Sequence, residues 1–136
     1  MVLKGVEKWY YTCVTSISYT ARILDKHLQM LMAEFPAIMV TGPRASGKTT
    51  TLTRLAATTR QLNEDRSAAA FRADPDAALQ ELDEPIFLDE YQEVPSVLSA
   101  IKRSVDQNYS PGRFLLSGSV RATLNTTSWP TTGRII

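Results

Sequence analysis

One octet constrains this chain more than any other feature: Gly42-Pro43-Arg44-Ala45-Ser46-Gly47-Lys48-Thr49. Two glycines with four residues between them, then Lys and a hydroxyl residue, form the P-loop pattern. Glycine at 42 and 47 lets the backbone take conformations closed to larger residues and approach an anion closely. The loop amides then converge as an anion nest, and the helix that follows adds the positive end of its dipole. Lys48 has the reach for the β and γ phosphates of a nucleotide, and the Thr49 hydroxyl suits Mg²⁺. Gly42 through Thr50 are therefore the expected phosphate-binding residues. By average composition such an octet arises by chance in about one chain in two hundred of this length.

The surrounding pattern supplies the context that a P-loop needs. Ala37-Ile38-Met39-Val40-Thr41 is a short apolar run ending at Gly42, which reads as a buried strand. Lys48 to about Thr59 reads as a helix, and a short strand is expected near Gln61 to Asn63. Two helical pieces follow at Asp65 to Phe71 and Asp76 to Leu82, the second after Asp74-Pro75. Ile86-Phe87-Leu88 is a second buried strand, and Pro95 to Asp106 a helix with Val97, Leu98, Ile101 and Val105 on one face. Phe114-Leu115-Leu116 is a third strand, closed by Ser117-Gly118-Ser119. Strands alternating with helices of about ten residues predict βαβ units on a mainly parallel sheet.

Upstream, Ile23, Leu24, His27, Leu28, Leu31 and Phe35 recur at three- and four-residue steps, which predicts an amphipathic helix from Ala21. Thr20 is its expected N-cap and Pro36 its stop, with Met30, Leu31 and Met32 packing into the core. Residues 1–19 are mildly β-prone and have no clear period. The expected organisation is a single domain, with an N-terminal segment at 1–34 and the P-loop core at 35–136.

Ile86-Phe87-Leu88 runs into Asp89-Glu90, a pair of carboxylates on the end of an apolar strand. Strand residues alternate in direction, so the two carboxylates emerge on different sides and can take different work. Asp89 is the natural partner of the Mg²⁺ shell, a Walker B position. Glu90 is the candidate to polarise a water for attack on the γ phosphate. A hydroxyl from Ser117 or Ser119 on a neighbouring strand can touch that water or phosphate, although a Ser-Gly-Ser turn is also a routine way to end a strand. Gln92 lies close behind the pair, and Glu93 reads as surface.

Composition removes several alternatives. Fifteen Lys and Arg against fourteen Asp and Glu leave a net charge of +1, which gives no electrostatic case for coating a nucleic acid. Arg54, Arg60, Arg66 and Arg72 are interleaved with Glu64, Asp65 and Asp74, a mixed solvated surface. Cys13 stands alone and reads as an inert buried thiol; one Cys and one His, His27, make no zinc site. A single cysteine, no secretory pattern and no apolar run of membrane-spanning length lead to the expectation of a cytoplasmic protein.

The stretch from Phe35 to Arg134 resembles the N-terminal half of the bacterial and archaeal P-loop ATPases of the AAA_14 group, whose longer members carry a C-terminal DUF4143 domain. The likeness is carried by the P-loop through Thr50, Ala73-Asp74-Pro75, Leu88-Asp89-Glu90-Tyr91-Gln92-Glu93-Val94-Pro95, Ile101-Lys102-Arg103 with Val105-Asp106, Gly112 to Ser119, and Gly133-Arg134. It implies an ATP-binding AAA-type three-layer α/β/α fold with sheet order 5-1-4-3-2. Relatives commonly have Thr at the position of Ser117. They also continue past the Gly-Arg pair into another core strand and the second domain. The expectation is thus a truncated form lacking its last core strand, with the P-loop strand at an open edge that invites self-association or a partner protein. Any arginine finger would be supplied from elsewhere, with Arg121 and Arg134 as candidates within the chain.

Two functional readings follow. In the first, the chain is a slow Mg-dependent ATPase with Lys48, Glu90 and Ser117 at the reaction, Thr49 and Asp89 at the metal, and ATP and Mg²⁺ as cofactors. In the second, it is a nucleotide-binding or interaction module without turnover. Glu90 separates them, because a module that only binds has no need of it. A small-molecule phosphotransferase is a weaker third, since no arginine-rich substrate lid is evident.

Overall fold

The computed structural model describes Thr20, residues 22–119 and residues 135–136. The expectations for the segment 1–19, Cys13, Arg121 and Arg134 fall outside the described residues. In chain order the elements are α1 (Ile23–Glu34), β1 (Ala37–Gly42), α2 (Lys48–Leu55), β2 (Thr58–Gln61), α3 (Asp65–Ala73), α4 (Pro75–Gln80), β3 (Ile86–Asp89), a 3-10 turn (Tyr91–Glu93), α5 (Ser96–Gln107) and β4 (Phe114–Ser119).

The four strands pair in the order β1-β4-β3-β2, and all three pairings are parallel. Period-two alternation divides the strand residues between two layers of helices. Ile38, Phe87 and Leu115 face Leu28 of α1 and Leu52 of α2. Their neighbours Ile86, Leu88, Phe114 and Leu116 face the other way, onto Phe71 of α3, Leu79 of α4 and Val97, Ile101 and Val105 of α5. The result is the parallel sheet that the strand and helix alternation predicts, in the three-layer α/β/α arrangement that the resemblance implies. Fully burying a side chain such as Phe87 stabilises by roughly 1.5–3 kcal/mol, so the central strands anchor both layers.

Several boundaries differ from the sequence expectation, each for a local reason. α2 ends at Leu55 rather than near Thr59, because Ala56 is extended and the amides of Ala57 and Thr58 both donate to Pro85 O (2.8 and 3.2 Å). That docks the chain beside β3, and the β-branched Thr58 and Thr59 enter β2, three residues earlier than expected. α1 starts with Arg22 as its N-cap rather than Thr20, since the Asp25 carboxylate accepts the Arg22 amide at 2.8 Å. Its buried side is Leu28 with Leu31, Met32 and Phe35 half-buried, while Ile23, Leu24 and Met30 are exposed. The core role assigned to Met30 is therefore wrong: it stands on the opposite side of the helix from Leu28. β4 runs on through Ser117, Gly118 and Ser119, which pair with Val40, Thr41 and Gly42. The apolar run is only the lower half of that strand.

On the far side of β1, Ile136 donates to Ala37 O (3.2 Å) and accepts from the amide of Met39 (2.6 Å), spaced as in a parallel ladder. Ile136 thus sits where the resemblance puts the fifth strand, and the β1 edge expected to be open is paired there. No helix among the described residues is long and apolar enough to cross a membrane.

Candidate functional site

In a parallel sheet with crossover helices, ligands bind beyond the carboxyl ends of the strands where the strand order switches. Here β1 leads through α2 to β2 at the opposite edge, with β4 and β3 inserted between them. The loop after β1 and the ends of β3 and β4 meet at that point. The loop, the start of α2 and the end of β3 enclose a pocket of about 320 Å³ lined by Arg44 through Thr50, Asp89 and Glu90. A groove of about 980 Å³ opens beside it between α1 and α2, lined by Arg22, Lys26, Met30, Arg54 and others. The groove is larger, but the loop amides and both strand-end carboxylates line the smaller pocket.

Gly47 is the N-cap of α2 and has φ +81°, a left-handed conformation that a larger residue adopts only with strain. The Arg22 guanidinium lies where a Cβ on Gly47 would stand, and its Nη1 donates to Ser46 O at 2.8 Å. Gly42 behaves differently from the sequence expectation: its φ is not positive, and the nearest atoms to a Cβ there would be Ser46 and Lys48 side-chain atoms at 3.6–3.9 Å, ordinary contact distances. The second strained position in the loop is instead Ala45, at φ +59°. Lys48 arches back over the loop, and its Nζ donates to Gly42 O (3.0 Å), Pro43 O (2.6 Å) and Ser46 Oγ (3.2 Å). The ammonium is thus held among loop carbonyls, where anionic oxygens would compete for it.

Alternation also explains the heart of the site. Asp89 lies two residues beyond Phe87, and Ser117 two beyond Leu115, so both point to the face covered by α2. Thr49, in the first turn of α2, donates from Oγ1 to Asp89 Oδ2 at 2.7 Å. Ser117 Oγ donates to Asp89 Oδ1, and the Glu90 amide donates to the same oxygen at 3.1 Å. Asp89 and Ser117 are both buried, so this carboxylate is fixed by three donors on three elements. The two serines that the sequence left unseparated are now distinct: Ser117 is 1% exposed and bound to Asp89, whereas Ser119 is half-buried at the strand end.

Glu90 does not continue the strand. Its φ is +55°, left-handed for a non-glycine residue, and it caps the 3-10 turn. Such a conformation costs about 1–3 kcal/mol and persists only where the surroundings hold it. The expectation that Glu90 would simply alternate with Asp89 therefore misses this turn. The Glu90 carboxylate accepts from Gln92 Nε2, while Gln92 Oε1 is buried with no partner among the described residues. Gln92 and Arg22 are the site residues whose contacts sequence reasoning missed. Gln92 had only its nearness to the acidic pair as a signal, and Arg22, 24 residues before Ser46, had none. Glu93 and His27 are exposed.

Residues 34–136 match the AAA_14 family, an AAA domain. The chain belongs to the AAA_14 family. Its P-loop is that of a nucleotide-binding AAA domain. It is also similar to the uncharacterized proteins Mb2031c of Mycobacterium bovis and Rv2008c of Mycobacterium tuberculosis. Each is 36% identical over 96 residues, 68% of this chain and 22% of the relative. The chain thus spans about a fifth of the length of the curated relatives that it matches.

Proposed function

We propose that this AAA domain binds ATP with Mg²⁺ and hydrolyses it slowly to ADP and phosphate. The observation that carries the reading is the contact between Thr49 and Asp89 at the floor of a pocket that also holds the P-loop and Glu90. A loop that only binds an anion requires no carboxylate beside it.

The donor set fits Mg²⁺. A hydroxyl and a carboxylate oxygen are hard ligands, and among the described residues no group of three or more His, Cys, Asp or Glu forms a cage. Mg²⁺ is characteristically held by one or two protein oxygens plus phosphate and water. When bound, it would neutralise charge on the phosphate oxygens.

The chain's own residues do the rest. Lys48 exchanges the carbonyls of Gly42 and Pro43 for β and γ phosphate oxygens, a stronger acceptor for an ammonium. The loop amides and the first turn of α2 bind the remaining oxygens. Ser117 holds Asp89 in place. Glu90 accepts a proton from a water whose oxygen bonds to the γ phosphorus, as the bond from that phosphorus to the β–γ bridging oxygen breaks and ADP leaves.

The test is phosphate release by the 136-residue chain, with binding followed in parallel. Lys48→Ala should abolish or strongly weaken nucleotide binding. Glu90→Gln should keep binding and lose turnover. Binding with no release from the wild type would favour a nucleotide-holding module, and equal release by Glu90→Gln and wild type would remove Glu90 from the reaction.

A further inference from the structure

Resting on the ATPase reading, we propose that Gln92 is a positioning residue for Glu90. Its amide nitrogen grips one oxygen of the carboxylate and leaves the other for water, while its own oxygen is packed against the end of β4.

The first observation is the direction of the amide. A carboxylate only accepts hydrogen bonds, so Gln92 must present its NH₂ to Glu90. Its oxygen is thereby turned inward, where it is buried and finds no donor among the described residues. Burying an unpaired carbonyl is unfavourable, and a methionine of similar length would avoid it. The amide is accounted for by its grip on Glu90, not by packing.

The second observation is what holds the amide. Gly118 of β4 has room for no side chain: a Cβ there would stand 2.6 Å from Tyr91 Cε1 and 3.0 Å from Gln92 Oε1. The ring and the amide therefore lie directly on the strand backbone. Tyr91 is 2% exposed and belongs to the core, so the short turn that carries Gln92 is anchored. Glu90 is half-buried and left-handed; its backbone is held by the Asp89 carboxylate and the Glu93 amide, and its carboxylate is gripped by Gln92.

Together these contacts reference both carboxylates to one strand. Asp89 is tied to β4 through Ser117, and Glu90 through Gln92 at the adjoining Gly118. A displacement of reacting groups by about 1 Å can cost a hundredfold in rate, so a strand-referenced base matters to the reaction more than to stability.

The experiment measures Mg-ATP turnover, nucleotide affinity by calorimetry and thermal unfolding for the 136-residue wild type, Gln92→Met, Glu90→Gln and the double variant. Gln92→Met should lose about tenfold to a hundredfold in kcat, with KM and affinity within about twofold. Added to Glu90→Gln, it should cause no further loss in single-turnover rate, because it acts through Glu90. Gln92→Glu, which keeps the shape and sets a second carboxylate against the first, should lose kcat similarly and covers the case in which Gln92→Met does not fold. Unchanged or raised kcat in both variants, a loss expressed in affinity, or multiplicative losses in the double variant would overturn the role of Gln92 alone. No turnover by the wild type, or turnover that survives Glu90→Gln, would overturn the ATPase reading and this proposal together.

Discussion

The hydroxyl of Thr49 donates a 2.7 Å hydrogen bond to Asp89 Oδ2, joining the first turn of the helix after the P-loop to the end of a strand forty residues later. The bond fixes the distance between the two oxygens that the proposed metal would share. It also couples the conformation of the loop to the sheet, since Thr49 moves with α2 and Asp89 with β3.

Thr49→Ala removes one of those oxygens and leaves the loop amides and Lys48 intact. ATP affinity measured by calorimetry without Mg²⁺ should change little. With Mg²⁺ present, the wild type should gain affinity and Thr49→Ala should gain much less. Equal enhancement by Mg²⁺ in both proteins would take Thr49 out of the metal site.

Ser117→Ala deletes the buried donor to Asp89 Oδ1 and leaves the Glu90 amide as the remaining donor to that oxygen. Leaving a buried acceptor short of a partner costs about 1–3 kcal/mol. Thermal unfolding should therefore fall by several degrees, and turnover should fall with it. Ser117→Thr keeps the hydroxyl and should retain most of the rate. Full activity in Ser117→Ala would show that Asp89 needs no such support.

Strands with continuous apolar runs were legible in the sequence because burial on both faces leaves little choice of residue, as in Ile86-Phe87-Leu88 and Phe114-Leu115-Leu116. β2 starts three residues before the expected position because Thr58-Thr59-Arg60-Gln61 is half-buried throughout and shows no alternation to mark it. The P-loop was legible through its spacing, and the position of Asp89 at a strand end through the apolar run before it. What escaped was set by tertiary contact. The left-handed turn at Glu90, the grip of Gln92 and the approach of Arg22 to Ser46 leave no periodic trace, since each depends on where another element ends.

Arg113 spends all its donors on structure. Nε and Nη2 bond Glu84, Nη1 donates to Ser104 O (2.9 Å) and Asn108 O (2.7 Å), and Nη2 also reaches Ser104 Oγ (2.8 Å). It thereby clamps the C-terminal end of α5 to the entry of β3, while its guanidinium carbon lies 4.8 Å from the Phe114 ring centre. Lysine carries the same charge but cannot fork to these partners. Arg113→Lys should destabilise by about 2–4 kcal/mol in denaturant unfolding, with nucleotide affinity of the folded fraction unchanged. An affinity loss at conserved stability would mean that Arg113 acts at the site.

The pair between Asp76 and Arg103 sets the sign of one pH effect. Arg103 Nε donates to Asp76 Oδ1 at 2.9 Å and Nη2 to Oδ2, joining α4 to α5. The hydrogen bonds from Arg103 hold the Asp76 carboxyl below its ordinary value of 3.8. A carboxyl with a depressed folded pKa contributes stability that is fully present above the unfolded value and lost as pH falls through the folded one. The stability gap between wild type and Asp76→Asn should therefore be constant at neutral pH and begin to close as pH drops to about 4. It should vanish once both states of the wild type are protonated. Both side chains are substantially solvated, so the gap is small and shrinks further in high salt. Urea unfolding of the two proteins from pH 7 to pH 2.5 reads it, and a gap that widens on acidification would reverse the assignment.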